Sequence, residues 1–116
     1  MLKTDARHDL TMGGKEHQQK VDEIFDGIDE KGLVAVKELV ISLTNKPRKC
    51  RVVDVAAFDS NRRLVELHLV SRLNKTGMML KHEVETMLDL EEETGIKVQF
   101  HSFSYLDNSS NIKNEK

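Results

Sequence analysis

The sequence predicts an α+β fold in which a small sheet is covered by helices on one face. Residues 15–43 and 78–93 carry apolar side chains at helical spacing, whereas residues 52–70 and 96–106 alternate as strands do. The length of 116 residues allows one small domain, and 38% hydrophobic with 33% charged residues is a normal globular mixture. The expected order is two N-terminal helices or one bent helix, a β-hairpin, a third helix and a final strand.

The segment from Lys15 to Leu43 is predicted to be helical. Its first half has four apolar residues at helical spacing, with acidic residues opposite: Val21, Ile24, Phe25 and Ile28. After Gly32 a second run fits the same spacing: Leu33, Val36, Leu39, Val40 and Leu43. Gly32 leaves open whether there are two helices or one bent helix. Pro47 ends the helical stretch, because the residue before a proline avoids the α region.

Residues 52–70 predict a β-hairpin, because two apolar-rich runs flank the turn-forming residues 59–63. If Phe58 faces Leu64, one face of the hairpin is wholly apolar and carries these residues: Val53, Val55, Ala57, Val65, Leu67 and Leu69. We prefer this register, since a shift by one residue would bury the Asp54 carboxylate beside Leu67.

A third helix and a third strand complete the predicted domain. Apolar spacing places the helix at Met78–Glu93, with Thr76 as a candidate N-cap. Gly95 stands where a helix commonly ends in a left-handed residue. The alternation that follows predicts a strand over Ile96–Leu106.

The predicted domain spans residues 15–106, between a flexible N-terminal arm at residues 1–14 and a disordered polar tail at residues 107–116. No apolar run approaches the roughly 20 residues that cross a bilayer, so no membrane association is expected. The arm lacks the apolar stretch of a secretory signal. With only one cysteine, Cys50, an internal disulfide is excluded, and we expect a cytoplasmic protein.

The net charge of −2 is unevenly distributed along the chain. Residues 45–76 hold eight Lys and Arg against three acids, whereas residues 15–44 and 77–116 are both acidic. A basic segment of this kind could bind phosphates of a nucleic acid. The candidate residues are Lys46, Arg48, Lys49, Arg51, Arg62 and Arg63. Because nucleic-acid binders are usually basic overall, we first interpret the segment as a solvated sheet edge.

Three polar residues of the hairpin form a candidate site. In the preferred register Asp54 faces His68, and Glu66 lies diagonal to them on the same face. Cross-strand Cβ atoms lie about 4.5–5.5 Å apart, close enough for the side chains to share a divalent ion such as Mg²⁺ or Mn²⁺. The simpler interpretation is a solvated polar patch. The other histidines of the domain are interpreted as ordinary surface residues: His17, His82 and His101.

The run from Asp54 to His68, followed by a helix and a strand, resembles the core of restriction-endonuclease-like nucleases, which include resolvases and transposon end-cleaving enzymes. That family places an Asp on one hairpin strand, a Glu-x-Lys pair on the next and a Glu in the preceding helix. The resemblance implies the Asp role for Asp54 and the helical Glu role for Glu23 or Glu38. Here Glu66 is followed by His68 where the family has the lysine that orients or deprotonates water.

Three functions follow from these observations. The first is a non-enzymatic protein-binding or adaptor module that self-associates, because a small sheet with an open edge usually needs further pairing. The alternatives are a divergent metal-dependent nuclease domain that uses Asp54, Glu66 and His68, and a nucleic-acid-binding domain without catalysis. Since no complete catalytic set is present, we expect no enzyme and no cofactor. The expected partner is a protein or a second copy, with nucleic acid as the alternative through residues 46–75.

Overall fold

The computed structural model describes residues 14–46 and 49–103. In these ranges the elements follow one another as α1 (Gly14–Glu30), β1 (Val34–Ser42), β2 (Cys50–Phe58), β3 (Leu64–Arg72), α2 (Lys81–Thr94) and β4 (Val98–Phe103). The predicted α+β class is confirmed. The predicted tail and all but Gly14 of the predicted arm lie outside the described residues. Neither α1 nor α2 is long and apolar enough to cross a membrane.

The strands form one mixed sheet in the order β1-β2-β3-β4. The first three are antiparallel neighbours, and β4 is parallel to β3. A parallel neighbour requires a crossover connection, which here contains α2.

The segment predicted as a second helix is strand β1, so two helices are present in the described residues rather than three. Its apolar residues fit helical spacing, but many are β-branched and therefore favour a strand: Val34, Val36, Val40 and Ile41. Pairing with β2, from Val34 opposite Phe58 to Ser42 opposite Cys50, supplies the hydrogen bonds that settle the choice. The prediction failed because these contacts are not local.

The two helices pack on opposite faces of the sheet, whereas helices on one face were predicted. The cluster against α1 contains Val21, Ile28, Val55, Ala57 and Val70. The cluster against α2 contains Val53, Ala56, Leu67, Leu69, Leu90 and Val98. Residues 67–70 are all buried, because β3 is covered on both sides. A strand of this kind does not show the simple alternation on which the prediction relied.

The hairpin register differs from the predicted one over most of its length. Phe58 pairs with Leu64 as expected, but a β-bulge follows, and beyond it Val55 rather than Asp54 pairs with His68. Val65, predicted to be buried, is 38% exposed and has no partner on β2. A bulge places two residues opposite one, which moves every later side chain by one position relative to the partner strand.

Strands β2 and β3 separate at Asp54. They pair only over residues 55–58 of β2, whereas β2 stays paired with β1 as far as Cys50 and β3 stays paired with β4 as far as Arg72. At the point of separation, Asp54 Oδ2 accepts the backbone N–H of Val70 at 2.7 Å. The carboxylate therefore replaces a backbone acceptor of the sheet, and a cleft opens between the two strands.

The same irregularity turns Val53 and Val55 to opposite faces, although they are two residues apart. Glu38 of β1, which is skipped in the pairing at the level of Asp54, has φ of 56°, in the left-handed region. The single apolar face predicted for the hairpin was wrong for this reason.

Helix α2 begins three residues later than the predicted start at Met78. The predicted N-cap, Thr76, donates its hydroxyl and its backbone N–H to Asn74 Oδ1, at 2.7 and 2.9 Å. Leu80 is the N-cap and supplies no side-chain hydrogen bond. The predicted end at Gly95 is confirmed, since its φ is 74° and its N–H binds the carbonyl of Glu91.

Candidate functional site

A cleft of about 710 Å³ lies where β2 and β3 separate. It is lined from the α1 side by His17 and Phe103, and from the α2 side by Glu83 and Thr86. Its polar and charged lining consists of His17, Arg51, Asp54, Ser71, Arg72, Glu83 and Thr86. The volume is in the range of ligand sites, and apolar side chains complete a mixed lining: Val52, Leu69, Val70, Leu80 and Phe103.

Asp54 is held at the inner end of this cleft. Its Oδ2 is fixed by the N–H of Val70, and its Oδ1 lies 3.5 Å from Nε2 of His17 on α1. The side chain is 14% exposed, so the carboxylate remains accessible from the cleft. Oδ2 is thus fixed by the sheet, and Oδ1, which has only the longer contact to His17, is the oxygen that a cation would bind.

Glu83 enters the cleft from the first turn of α2. Burial raises the pKa of Glu83 above its ordinary value; the charge of His82 and a hydrogen bond from Ser71 lower it in part, and the charge of Asp54 raises it. Two carboxylates from separate elements therefore repel each other across the cleft. A bound cation would remove this repulsion.

His17 is almost fully buried, whereas it was predicted to be an ordinary surface residue. Its ring contacts the edge of Phe103 at 5.9 Å between centroids. Nδ1 is buried and has no hydrogen-bond partner within residues 14–46 and 49–103. His17 therefore forms the α1 wall of the cleft beside Asp54.

Two arginines lie on the cleft wall, Arg51 of β2 and Arg72 of β3. Arg51 donates from Nε and Nη2 to Asp89 Oδ2, at 3.0 and 2.7 Å, and Lys46 donates to Asp89 Oδ1 at 2.7 Å. These hydrogen bonds hold the pKa of Asp89 below its usual range. Asp89 thus fixes Arg51 and the β1–β2 connection against α2.

Glu66 and His68 belong to a different polar group, under α1. Lys31 donates to Glu66 Oε2 at 2.6 Å, and His68 Nε2 lies 2.8 Å from Glu66 Oε1. The other ring nitrogen of His68, Nδ1, lies 2.9 Å from Nε2 of His101 on β4. Burial raises the pKa of Glu66, but the hydrogen bonds from Lys31 and His68 outweigh it and hold that pKa below its ordinary value.

The structure thus brings together two of the three predicted site residues. Glu66 contacts His68, while Asp54 contacts His17 and Val70 instead. In the part of the chain that the structure describes, no three His, Cys, Asp or Glu side chains are placed to hold one metal ion. Sequence reasoning missed Glu83, because only the tertiary packing of α2 shows that it reaches the cleft of Asp54.

The predicted basic residues fall into two groups at opposite ends of β2. Lys46, Lys49 and Arg51 lie at the end where the cleft opens. Arg62 and Arg63 lie in the turn at the other end, where Arg63 pairs with Asp59. Arg48 lies outside the described residues. These residues do not form one continuous surface, so only the first group can act together with the cleft.

Comparison of the chain with protein-family models, with curated proteins and with solved structures finds no match. The function is therefore inferred from the cleft itself. Its defining features are the two carboxylates, the buried histidine and the neighbouring cations.

Proposed function

We propose that this domain binds nucleic acid through a divalent cation held by Asp54 and Glu83. The observation that carries the proposal is that both carboxylates line the cleft between β2 and β3, close enough that, beside burial, the charge of Asp54 raises the pKa of Glu83. Two negative charges alone would repel a phosphate. With a divalent cation bound between them, the same site attracts one.

Mg²⁺ or Mn²⁺ is the cation that these residues fit. Mg²⁺ prefers oxygen ligands and commonly uses one or two carboxylates, completing its shell with water and substrate phosphates. Zn²⁺ requires three or four protein ligands, and the described residues offer no such group. In this site Asp54 and Glu83 would hold the cation, which would supply the positive charge that a phosphate oxygen binds.

The cations near the cleft favour a polymeric phosphate ligand over a single phosphate. Arg51 and Arg72 line the cleft, Arg51 being positioned by Asp89, and Lys49 is exposed directly before β2. Cations spaced along a groove match the repeating charge of a nucleic-acid backbone. The sequence resemblance to restriction-endonuclease-like nucleases supports the same ligand class, since Asp54 has the position of the family's hairpin Asp.

We expect binding without cleavage. In the nuclease-like family a lysine on the second hairpin strand orients or deprotonates water, and His68 replaces it here. His68 is only 5% exposed, and its two ring nitrogens face Glu66 and His101 rather than the cleft. The residue at the lysine position is therefore not available to a water molecule at Asp54.

Fluorescence anisotropy of a labelled DNA duplex and its RNA counterpart tests this proposal. We expect affinity in Mg²⁺ to exceed affinity in EDTA at least tenfold, or about 1.4 kcal/mol. Glu83→Gln should remove this difference, because it removes one of the two cation ligands. Glu85→Gln is the matched control, since it removes an exposed charge two residues away on the same helix. Equal binding in Mg²⁺ and EDTA, or equal loss in both variants, would contradict the proposal.

A second function, self-association as a protein-binding module, is favoured by exposed valines at the β1 edge of the sheet. Val34, Val40 and Val52 are 56%, 59% and 48% exposed, and Val40 pairs directly with Val52. An edge strand with apolar side chains is a template for pairing with another chain.

Light scattering at high micromolar concentration checks this second function. We expect a dimer that Val40→Asp converts to a monomer, because the new charge would face the partner strand. The melting temperature of the variant should stay close to that of the wild type, since Val40 is exposed. A wild-type monomer at that concentration would remove the support for self-association.

A further inference from the structure

Four side chains, each in contact with the next, connect the end of α1 to β3 within the sheet and to β4 at its edge. Lys31, which directly follows α1, binds Glu66; Glu66 binds His68; and His68 contacts His101 on β4. The two rings are tilted by 31° with their centroids 5.1 Å apart. None of these residues lines the cleft of Asp54.

The geometry limits how many protons these four side chains can hold. An ionised carboxylate only accepts hydrogen bonds, so His68 Nε2 must carry the proton that it shares with Glu66. The 2.9 Å contact between His68 Nδ1 and His101 Nε2 has room for one proton. The pair of rings can therefore carry at most one positive charge. A second charge would place two N–H groups against each other and break the contact.

The surroundings also oppose a second charge. Burial lowers the pKa of His101, and the charges of His68 and of Lys20 on α1 lower it further. The charged groups that act on the two rings are Glu66 on β3, which contacts His68 and is itself bound by Lys31, and Lys20 on α1, whose charge acts on His101. A proton added to His101 is thus repelled by Lys20 on α1, the helix that these four side chains hold in place.

We propose that Glu66, His68 and His101 form a pH-sensitive latch that fastens α1 to the sheet at neutral pH and releases it on acidification. A folded-state pKa of His101 below its unfolded value means that the unfolded chain binds more protons. The stabilisation is therefore complete above the ordinary pKa of histidine and is lost as the pH falls through the lowered value. This latch does not depend on the proposed nucleic-acid function.

Hydrogen exchange of the backbone amides, corrected for intrinsic rates, tests the latch at about pH 7.5 and about pH 5.5, which bracket histidine titration. We expect protection of α1 to fall several-fold more than protection of α2, because the lowered pKa of His101 destabilises the α1 side of the sheet on acidification. His101→Gln, which cannot become charged, should abolish the difference. His82→Gln, at an exposed histidine outside the latch, should retain it.

If His101→Gln does not fold, measurements on the wild-type protein still test the latch. The imidazole signals of His101, followed by NMR, should titrate below the ordinary histidine range, and this titration should coincide with loss of α1 protection. Equal protection of α1 at both pH values would overturn the latch. The same would follow if His101→Gln folds and keeps the wild-type pH dependence, or if His101 titrates at the ordinary histidine pKa.

Discussion

Replacing Leu67 with alanine is expected to lower the free energy of unfolding by about 2–5 kcal/mol. Leu67 is fully buried and packs with Leu90 of α2 in the cluster between that helix and the sheet. It is also the first residue of β3 that pairs with β4, opposite Val98. The shortened side chain would leave a cavity at a junction of three elements, which limits how far the core can relax.

Val65→Ala is the matched control for Leu67→Ala. Val65 lies two residues earlier on the same strand, but the bulge leaves it exposed and without a β2 partner. We expect a cost below about 1 kcal/mol, in the range of strand propensity alone. Urea unfolding of both variants gives the comparison. Similar losses of unfolding free energy in the two variants would indicate a regular register without a bulge and would contradict the structure.

Saturating Mg²⁺ should raise the melting temperature, and Asp54→Ala should abolish the rise. At free Mg²⁺ of 100 times the dissociation constant, mass action stabilises the folded state by about 2.7 kcal/mol. For a domain of this size that corresponds to a shift on the order of 10 °C. Differential scanning calorimetry with and without EDTA measures it.

Glu83→Gln tests the same cation site, and its expected effect on the melting temperature has opposite signs without and with metal. Because the pKa of Glu83 is raised in the folded protein, its ionised form costs stability, and this cost grows as the pH rises through that range. The variant should therefore melt higher than the wild type in EDTA at neutral pH, and lower than the wild type in saturating Mg²⁺. A variant that melts lower in both conditions would show that Glu83 is only a structural residue.

Local patterns predicted the elements whose contacts are local. The spacing of Val21 and Ile28 located α1, and Gly95 located the end of α2. The β1 segment fits both helical and strand spacing, and only its pairing with β2 decides between them. The register failed at the bulge between Ala57 and Phe58, because one extra residue in a strand leaves no periodic signal in the sequence.

Only part of the candidate site was predicted, because the rest depends on contacts between distant parts of the chain. Asp54 was identified from its predicted place opposite His68 and from the resemblance to nuclease-like domains, although it does not pair with His68 in the structure. Glu83 is one acid among many on an acidic helix, and nothing in its local sequence separates it from Glu85. The burial of His17 and its approach to Asp54 depend on how α1 crosses the sheet, which a single sequence does not encode in any short pattern.

Paramagnetic broadening by Mn²⁺ in a two-dimensional amide NMR spectrum tests the central claim most directly. If Asp54 and Glu83 hold the cation, substoichiometric Mn²⁺ should first broaden amides near these two residues on β2 and α2. Amides of the turn at residues 59–63, at the far end of the hairpin, should stay sharp. Glu83→Gln should remove the selective broadening while Glu85→Gln preserves it. Broadening that is uniform, or that is centred elsewhere on the acidic surface of α2, would contradict a cation site in the cleft.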